Sequence, residues 1–475
     1  MIQGSLSSSV FDDLPGVAQK YIRDLEQLVR ELQDQVAKNS ENSSKPPSSD
    51  GLAKKPKIPG SQRASSGRRP GGQPGHPGET LRRSQNPDKV VNYAVSDCQN
   101  CKADLSHQPV LSTVSSQVFD LPKIEIKVTE HRAEQKICPC CMVKNTAKFP
   151  PGVSGARVEY GPNVKGLAIF LMHQHLVPAR RTQEILKDAF GVSVSTGSLM
   201  DWSLHGYSKL TEFEGVVISQ LRTAKVANFD ETGMRCEGSL HWLHVAATET
   251  LTFYGLHRKR GSEAMIEFGI LPSFTGTAIH DHWDPYFTFE NCKHGLCNSH
   301  ILRELKFLYE VAGEAWARDF RKLLKRIHKA VQKSKTRGKD ALTDAKKTQF
   351  CQQYEAILKQ GFRLHEADPV VRGKRGRIKQ TKGKNLLDRL SQFNSSVLRF
   401  MHDFTVPFTN NQGEQDIRMN KVKLKISGCF RSFAGGQTYC RIRGYLSTMR
   451  KRGLNSLNSC VTLFMGQPIM LPVPP

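Results

Sequence analysis

Three acidic residues stand in contexts suited to holding divalent metal ions. Asp230 follows the β-prone run Lys225-Val226-Ala227-Asn228-Phe229, Asp281 follows Thr277-Ala278-Ile279-His280, and Glu414 follows Asn410-Asn411-Gln412-Gly413. One aspartate closing a strand is usually only turn chemistry. Two strand-end aspartates and a distant helical glutamate are the parts of a two-metal site for phosphodiester transfer. There, two Mg²⁺ or Mn²⁺ ions about 4 Å apart align the attacking and leaving oxygens, and carboxylates are the preferred hard ligands. Asp230 would bridge the ions, while Asp281 and Glu414 would each hold one. Glu231 and Asp284 are rivals, but strand alternation turns Glu231 to the opposite face. Asp284, before Pro285, suits the start of a helix.

These acids need a sheet and a helix to bring them together. Cys236-Glu237-Gly238-Ser239 reads as a turn between the Asp230 strand and a second strand over Leu240 to Ala247, with a third over Leu251 to His257. A short helix begins at Gly261-Ser262, a fourth strand reaches Asp281, and a fifth over Lys293 to Asn298 precedes a helix from His300. Three antiparallel strands followed by strands alternating with helices resemble the ribonuclease H fold, whose first and fourth strands end side by side. Asn410 and Asn411 supply turn and capping chemistry before the Glu414 helix. That helix continues with Arg418, Lys421 and Lys423, able to face phosphate; Ser432 to Gln437 reads as a loop beside Arg431, and Arg441 to Arg452 as a last basic helix.

Ahead of this core lie smaller modules. Ala18, Ile22, Leu25, Val29, Leu32 and Val36 follow a heptad spacing. This is either a self-associating coiled coil or an amphipathic helix packed on its own domain. Residues 41–90 form a basic linker carrying Lys54, Lys55, Arg68 and Arg69, either laid along DNA or disordered without a partner. Cys98-x-x-Cys101 and Cys138-x-x-Cys141, separated by a strand-like Ile124 to Thr129, have the spacing of a structural Zn²⁺ site, with Cys140 as a substitute for Cys138 or Cys141. Helices from Pro162, over Arg180 to Phe190, and from a Ser195 cap outline a helix-turn-helix, with Gly191 at the turn and Arg180 and Arg181 available to DNA. A structural helical hairpin has the same outline.

The 475 residues carry a net charge of +25, which points to an acidic polymer. The charge is clustered: Leu52 to Arg83 holds eight Lys or Arg against one acid, Arg372 to Lys384 seven against none, and Ile417 to Gly453 ten against none. No run of 18 apolar residues and no signal-peptide order occur, so the expectation is a cytoplasmic protein, with its twelve cysteines serving as metal ligands or buried thiols and no membrane partner.

Several motifs together carry a resemblance. Asn42-Ser43-Ser44-Lys45-Pro46-Pro47-Ser48-Ser49-Asp50, Gly71-Gly72-Gln73-Pro74-Gly75-His76, the cysteine pairs, Tyr160-Gly161-Pro162, Asp230-Glu231-Thr232, Asp281 with Tyr286, Cys297-x-x-His300, Pro407-Phe408-x-Asn410-Asn411-x-x-Glu414 and Gly428-Cys429-Phe430-Arg431-Ser432 occur in order over roughly residues 15 to 465. In this order the chain resembles the DDE transposases of the insertion sequence sixty-six family, the large proteins of those bacterial elements. The resemblance implies metal-dependent cleavage and strand transfer on terminal inverted repeats and target DNA, with Asp230, Asp281 and Glu414 as the acid triad. It also implies a nucleoid-associated homo-oligomer, working with accessory proteins of the same element. Gly413 and Gln415 depart from the alanine and arginine usual there; Arg418, one turn on, is a substitute phosphate contact. Cys297, His300 and Asn411 are expected to support the site. A cramped second zinc site over Cys292, His294, Cys297 and His300 is the alternative, and His280 and His282 are read as neighbours of Asp281.

The expected architecture is a multidomain α+β chain. It comprises a heptad helix over 1–40, the linker over 41–90, a zinc-binding module over 91–150 and a helix-turn-helix-like region over 155–222. A ribonuclease H-like core follows over 223–311, with a basic helical insertion over 312–400, the third-acid helix and basic loop over 401–455 and a tail over 456–475. A non-catalytic DNA-binding regulator and a structure-selective nuclease are the competing functions.

Overall fold

The computed structural model describes residues 11, 14–38, 81–122, 124–150, 153, 155–366 and 380–472. The chain divides into two units, Lys57–Lys127 by itself and Met1–Pro56 with Val128–Pro475. Lys54, Lys55, Arg68, Arg69 and most of the basic run from Arg372 lie outside the described residues. Among the described residues, no helix is long and apolar enough to cross a membrane.

In the smaller unit the described chain is largely extended and exposed, with one tight knuckle. Cys98 N–H donates to Ala103 O at 2.9 Å and Lys102 N–H to Cys98 O at 3.0 Å, and Lys102 turns the chain at φ 62°. The larger unit repeats this device: Cys138 N–H donates to Val143 O and Met142 N–H to Cys138 O, both at 2.9 Å, with Met142 at φ 56°. The second knuckle closes an antiparallel ribbon of β1 (Gln135–Ile137) and β2 (Lys144–Thr146). That ribbon, rather than the expected strand over 124–129, is the local pairing, because a knuckle sets its two flanks side by side.

Helix α1 (Gly16–Ala37) starts after Pro15. Its Leu25, Val29 and Leu32 are 43, 41 and 51 % exposed, so these seam positions are not buried against the rest of the chain. Further on, α2 (Pro162–Ile169) begins with proline in its first turn and runs into a π-turn over Phe170–Gln174. Helix α3 (Ala179–Phe190) stops at Gly191, whose φ of 67° suits a residue without a β-carbon. Helix α4 (Thr196–Lys209) is capped as its sequence requires, Ser195 Oγ accepting from Ser198 N at 2.9 Å. Helix α5 (Thr211–Arg222) then leads into the sheet.

The sheet has five strands: β3 (Val226–Cys236), β4 (Ser239–Ala247), β5 (Thr252–His257), β6 (Thr277–His280) and β7 (Lys293–Leu296), in the spatial order β5-β4-β3-β6-β7. The first three form an antiparallel meander. Beyond it the short helix α6 (Ser262–Phe268) leads to β6, which runs parallel to β3, and β7 runs parallel to β6. Glu237 and Gly238, at φ 51° and 74°, make the two-residue turn of the first hairpin. Strand β3 continues past Asp230 to Cys236, supported by β4 down to the pair Cys236–Ser239. Asp230 therefore sits within a strand, not at its end. Only the parallel pairing with β6 stops before it, at Asn228–Ile279.

Alternation along β3 sorts two cores. Ala227 and Phe229 join the helices of the 160–222 region, Phe274 and Tyr286, whereas Met234 and Cys236 join Val245, Tyr254, Ile417 and Tyr439. Beyond β7, α7 (Asn298–Glu310), α8 (Ala315–Lys335), α9 (Asp344–Leu364) and α10 (Lys382–Gln392) enclose a third core around Trp316, Phe320, Tyr354 and Leu387. Most of the described lysines and arginines on these helices lie on their exposed faces.

Helix α11 (Asn411–Ser427) carries Glu414. Ser432 to Gln437 is not a loop. Ser432 Oγ accepts from Gly435 N at 3.1 Å and starts α12 (Phe433–Lys451), where a β-carbon on Gly436 would meet Leu256 Cδ2 at 2.3 Å. Three basic residues of α12 are turned to internal partners, while Arg450 stays exposed. Arg441 binds Glu214, Arg443 donates to the carbonyls of His173 and Gln174, and Lys451 Nζ reaches Thr248 O, Leu251 O and Asp416. The 456–475 segment is more than a tail: α13 (Ser456–Phe464) buries Cys460, Leu463 and Phe464 against α2.

Candidate active site

The register of the parallel strands brings the first two acids together. Val226 pairs with Thr277 and Asn228 with Ile279, so two further residues set Asp230 opposite Asp281. The β6–β7 pairing His280–Leu296 likewise sets Cys297 beside Asp281, and Cys297 N–H donates to His280 O at 2.9 Å. Three strands thus deliver Asp230, Asp281 and Cys297 in one row.

Helix α11 is tied to that row by Asn410, 2 % exposed. Its Oδ1 accepts from Asn228 Nδ2 at 2.7 Å and its Nδ2 donates to Phe229 O at 2.8 Å. Asn410 makes no side-chain cap to the helix, because its amide is spent on β3; its own carbonyl accepts from Glu414 N at 3.1 Å. Asn411 is exposed at the first helical residue. Sequence reading chose Asn411 as the supporting residue, but the long-range bonds belong to its neighbour. Adjacent asparagines look alike until the helix phase is known.

The electrostatics fit a cluster of like charges. Burial, then the carboxylates of Glu231, Asp281 and Glu414, hold the Asp230 carboxyl well above the usual range, against the Glu231 N–H that favours its ionised form. Asp281 is also raised, mainly by burial and in spite of the Trp283 N–H and of Arg260 and Arg389. A buried carboxylate raised by neighbouring acids, as Asp230 is, favours a bound cation, and oxygen-only ligands suit a hard divalent one. Those residues fit Mg²⁺ or Mn²⁺.

Glu231 is engaged elsewhere. Tyr286 OH donates to its Oε2 at 2.6 Å and Arg260 Nη2 to its Oε1 at 2.6 Å, while the Arg260 guanidinium lies 4.0 Å from the Trp283 ring centre and 4.9 Å from that of Trp242. Sequence reading missed Arg260 and Arg389; the second comes from α10 and pairs with Glu304. Neither sits in a motif, and only the fold brings them near the acids. Asp284 opens a 3₁₀ turn over Asp284–Thr288, as its proline suggests.

Cys297 and His300 flank Glu414. Cys297 Sγ is 3.9 Å from Glu414 Oε1 and accepts from Asn410 N at 3.2 Å, and His300 Nδ1 is 4.0 Å from the same carboxylate oxygen. Burial first, then Glu414, pushes the Cys297 thiol up to about 12; burial, then Arg303 and Arg389, lowers His300 to about 4. The cramped four-residue alternative does not form. His294 uses its nitrogens on His280 and Phe289 O, and Cys297 and His300 meet Glu414 instead. His280 is fully buried and lowered to about 3 by burial, a packed neighbour of Asp281.

Of the basic residues, Arg180, Arg181, Arg418, Lys421 and Arg431 are exposed. Lys423 is not among them: it lies half a helical turn from the Glu414–Arg418–Lys421 face, is partly buried, and sets Nζ 5.8 Å from the Tyr439 ring centre. In the knuckles, backbone N–H groups of Cys101 and Asn100 lower the Cys98 thiol, and those of Cys141 and Cys140 lower Cys138, which is the setting of a thiolate ligand.

A family described as "Transposase IS66 family" matches residues 157–438, more than half of the chain, and a family of unknown function (DUF6444) matches residues 15–82. No curated protein matches the chain. The matched span runs from the helices before β3 through β3, β6, β7 and α11 into α12, and the chain belongs to the IS66 family of transposases.

Proposed function

We propose that the chain cuts DNA at the ends of its insertion element and joins those ends to target DNA, with Asp230, Asp281 and Glu414 as the acid triad of a ribonuclease H-like core. The observation that supports this reading is a parallel register ending at Asn228–Ile279, two residues short of Asp230 and Asp281 alike, together with the Asn410 bonds that hold the Glu414 helix to β3. The strand order β5-β4-β3-β6-β7, with one antiparallel meander and two parallel additions, supports the fold assignment.

Asp230, Asp281 and Glu414 would hold two Mg²⁺ or Mn²⁺ ions. When bound, such ions activate the attacking oxygen and stabilise charge on the phosphate and leaving oxygen. The protein's own part is positional. Asn410 fixes the third acid relative to the first. Arg260 and Tyr286 keep Glu231 out of the site on the other face of β3. Exposed Arg418, Lys421 and Arg431 meet phosphates, and Arg180 and Arg181 on α3 contact DNA in the helix-turn-helix region. From their spacing, Cys98, Cys101, Cys138 and Cys141 would be the ligands of a structural Zn²⁺. The exposed seam of α1 serves self-association.

The test is incubation of purified protein with labelled DNA carrying the element's own ends, in Mg²⁺ or EDTA, beside Asp230→Asn. Nicking at the element boundary by the wild type in Mg²⁺ alone is expected. Binding without nicking, even with the element's accessory proteins added, would replace this reading with that of a DNA-binding regulator.

A further inference from the structure

One cluster is not absorbed by a hard-metal site. Cys297, His300 and Glu414 each offer a ligand atom, and the three atoms lie within 4.8 Å of one another. Cys297 is the cap residue of α7 and His300 lies in that helix's first turn, with His300 N–H donating to Cys297 O at 3.2 Å, so the two side chains are fixed to one rigid corner. His300 Nδ1 is buried without a hydrogen-bond partner and faces Glu414. Sulfur, imidazole nitrogen and carboxylate oxygen form a donor set for borderline-soft ions, not for Mg²⁺. A tetrahedral zinc ion, with sulfur at about 2.3 Å and nitrogen or oxygen at about 2.0 Å, sets its ligand atoms about 3.3–3.6 Å apart, so a contraction of about 1 Å closes the site.

We propose that Cys297, His300 and Glu414 form a binding site for Zn²⁺ or a similar borderline-soft ion, which takes Glu414 away from the acid triad and so switches the reaction off. The proposal rests on the reading of Glu414 as the third acid only for that last consequence. Binding deprotonates the Cys297 thiol, whose proton passes to solvent, and leaves a fourth position for water. Arg303 Nη2, 4.0 Å from Glu414 Oε1, is the cation that the metal displaces. Asp230 is not one of the three grouped ligand residues.

The probe is Co²⁺, titrated into the full chain with its knuckle cysteines loaded with Zn²⁺. Thiolate-to-cobalt charge transfer and tetrahedral d–d bands are read for the wild type, Cys297→Ser, His300→Ala and Asp230→Asn. Serine keeps an acceptor for Asn410 N–H, and circular dichroism confirms that each variant is folded. The wild type and Asp230→Asn should show the same saturable component. In Cys297→Ser and His300→Ala its affinity should fall by at least about tenfold, the smallest loss expected when even an outer-shell partner of a metal is removed. Superimposable titrations for all four proteins would overturn the proposal, and so would loss of the component in Asp230→Asn. Zinc added to Mg²⁺-supported cleavage should inhibit the wild type more strongly than either ligand variant, each compared with its own uninhibited rate. Equal inhibition overturns the proposal but leaves the triad reading intact, whereas a cobalt site in a protein that never cleaves overturns only the triad reading.

Discussion

Replacing Asn410 with alanine should damage the protein in a way that can be calculated from its two bonds. Both atoms of the amide are used inside the fold, on Asn228 Nδ2 at 2.7 Å and Phe229 O at 2.8 Å, and Asn228 and Asn410 are 6 % and 2 % exposed. Asn410→Ala leaves one donor and one acceptor buried and unpaired. At about 1–3 kcal/mol for each, partly offset by local relaxation or an entering water, the loss is about 2–4 kcal/mol. Asn228→Ala strands only Asn410 Oδ1 and should cost about 1–2 kcal/mol. The double variant should cost less than the sum, because the Asn228–Asn410 bond is lost only once. Urea unfolding followed by tryptophan fluorescence measures all three, since Trp202, Trp242, Trp283 and Trp316 all lie in the larger unit. Cleavage should fall further in Asn410→Ala than in Asn228→Ala, because the former frees the start of α11. A loss below about 0.5 kcal/mol in Asn410→Ala, the range of ordinary surface substitutions, would refute the claim that this residue fastens the third acid to the first.

Other perturbations follow from the same geometry. A carboxyl raised in the folded state contributes stability below its unfolded pKa and loses it as pH rises through the folded value; Asp230 and Asp281 are both raised. The metal-free protein should therefore be destabilised as pH rises above the ordinary carboxylate range, and Asp230→Asn should raise its melting temperature at pH 7 and flatten that dependence. Arg260→Met should cost about 2–3 kcal/mol in urea unfolding: it strands the Glu231 carboxylate, 2 % exposed, though Arg260 itself is 37 % exposed and is replaced partly by water. Glu231→Gln in the same chain should recover part of that loss. Metal analysis should find tightly held zinc that is lost in Cys98→Ser and Cys141→Ser but kept in Asp230→Asn.

Much of the site was legible because its signals are local. Apolar alternation marks β3, β4 and β6, Pro162, Gly191 and Ser195 mark the helix ends, and the acids stand out against β-prone runs. What stayed hidden depends on partners distant in sequence. Strand β3 outruns Asp230 because β4 supports it, a pairing that residues 226 to 230 cannot announce. The Phe433-Ala434-Gly435-Gly436 segment looks like a loop by composition, yet Ser432 caps it into α12 and Leu256 fills the space above Gly436. Arg443 and Lys451 look like DNA-facing charges in the chain, but the fold uses them to satisfy buried carbonyls. Lys423 was assigned by its place in a basic run, and the helical period turns it inward.

The most direct test of the account separates binding from chemistry at two acids far apart in sequence. Asp281→Asn and Glu414→Gln proteins would be given DNA carrying the element's ends, with binding measured by mobility shift and cleavage measured in Mg²⁺ on the same samples. The account predicts that both variants bind like the wild type, with the same steep loss of affinity at higher salt, and that neither cleaves. Cleavage at the wild-type rate by either variant would contradict it.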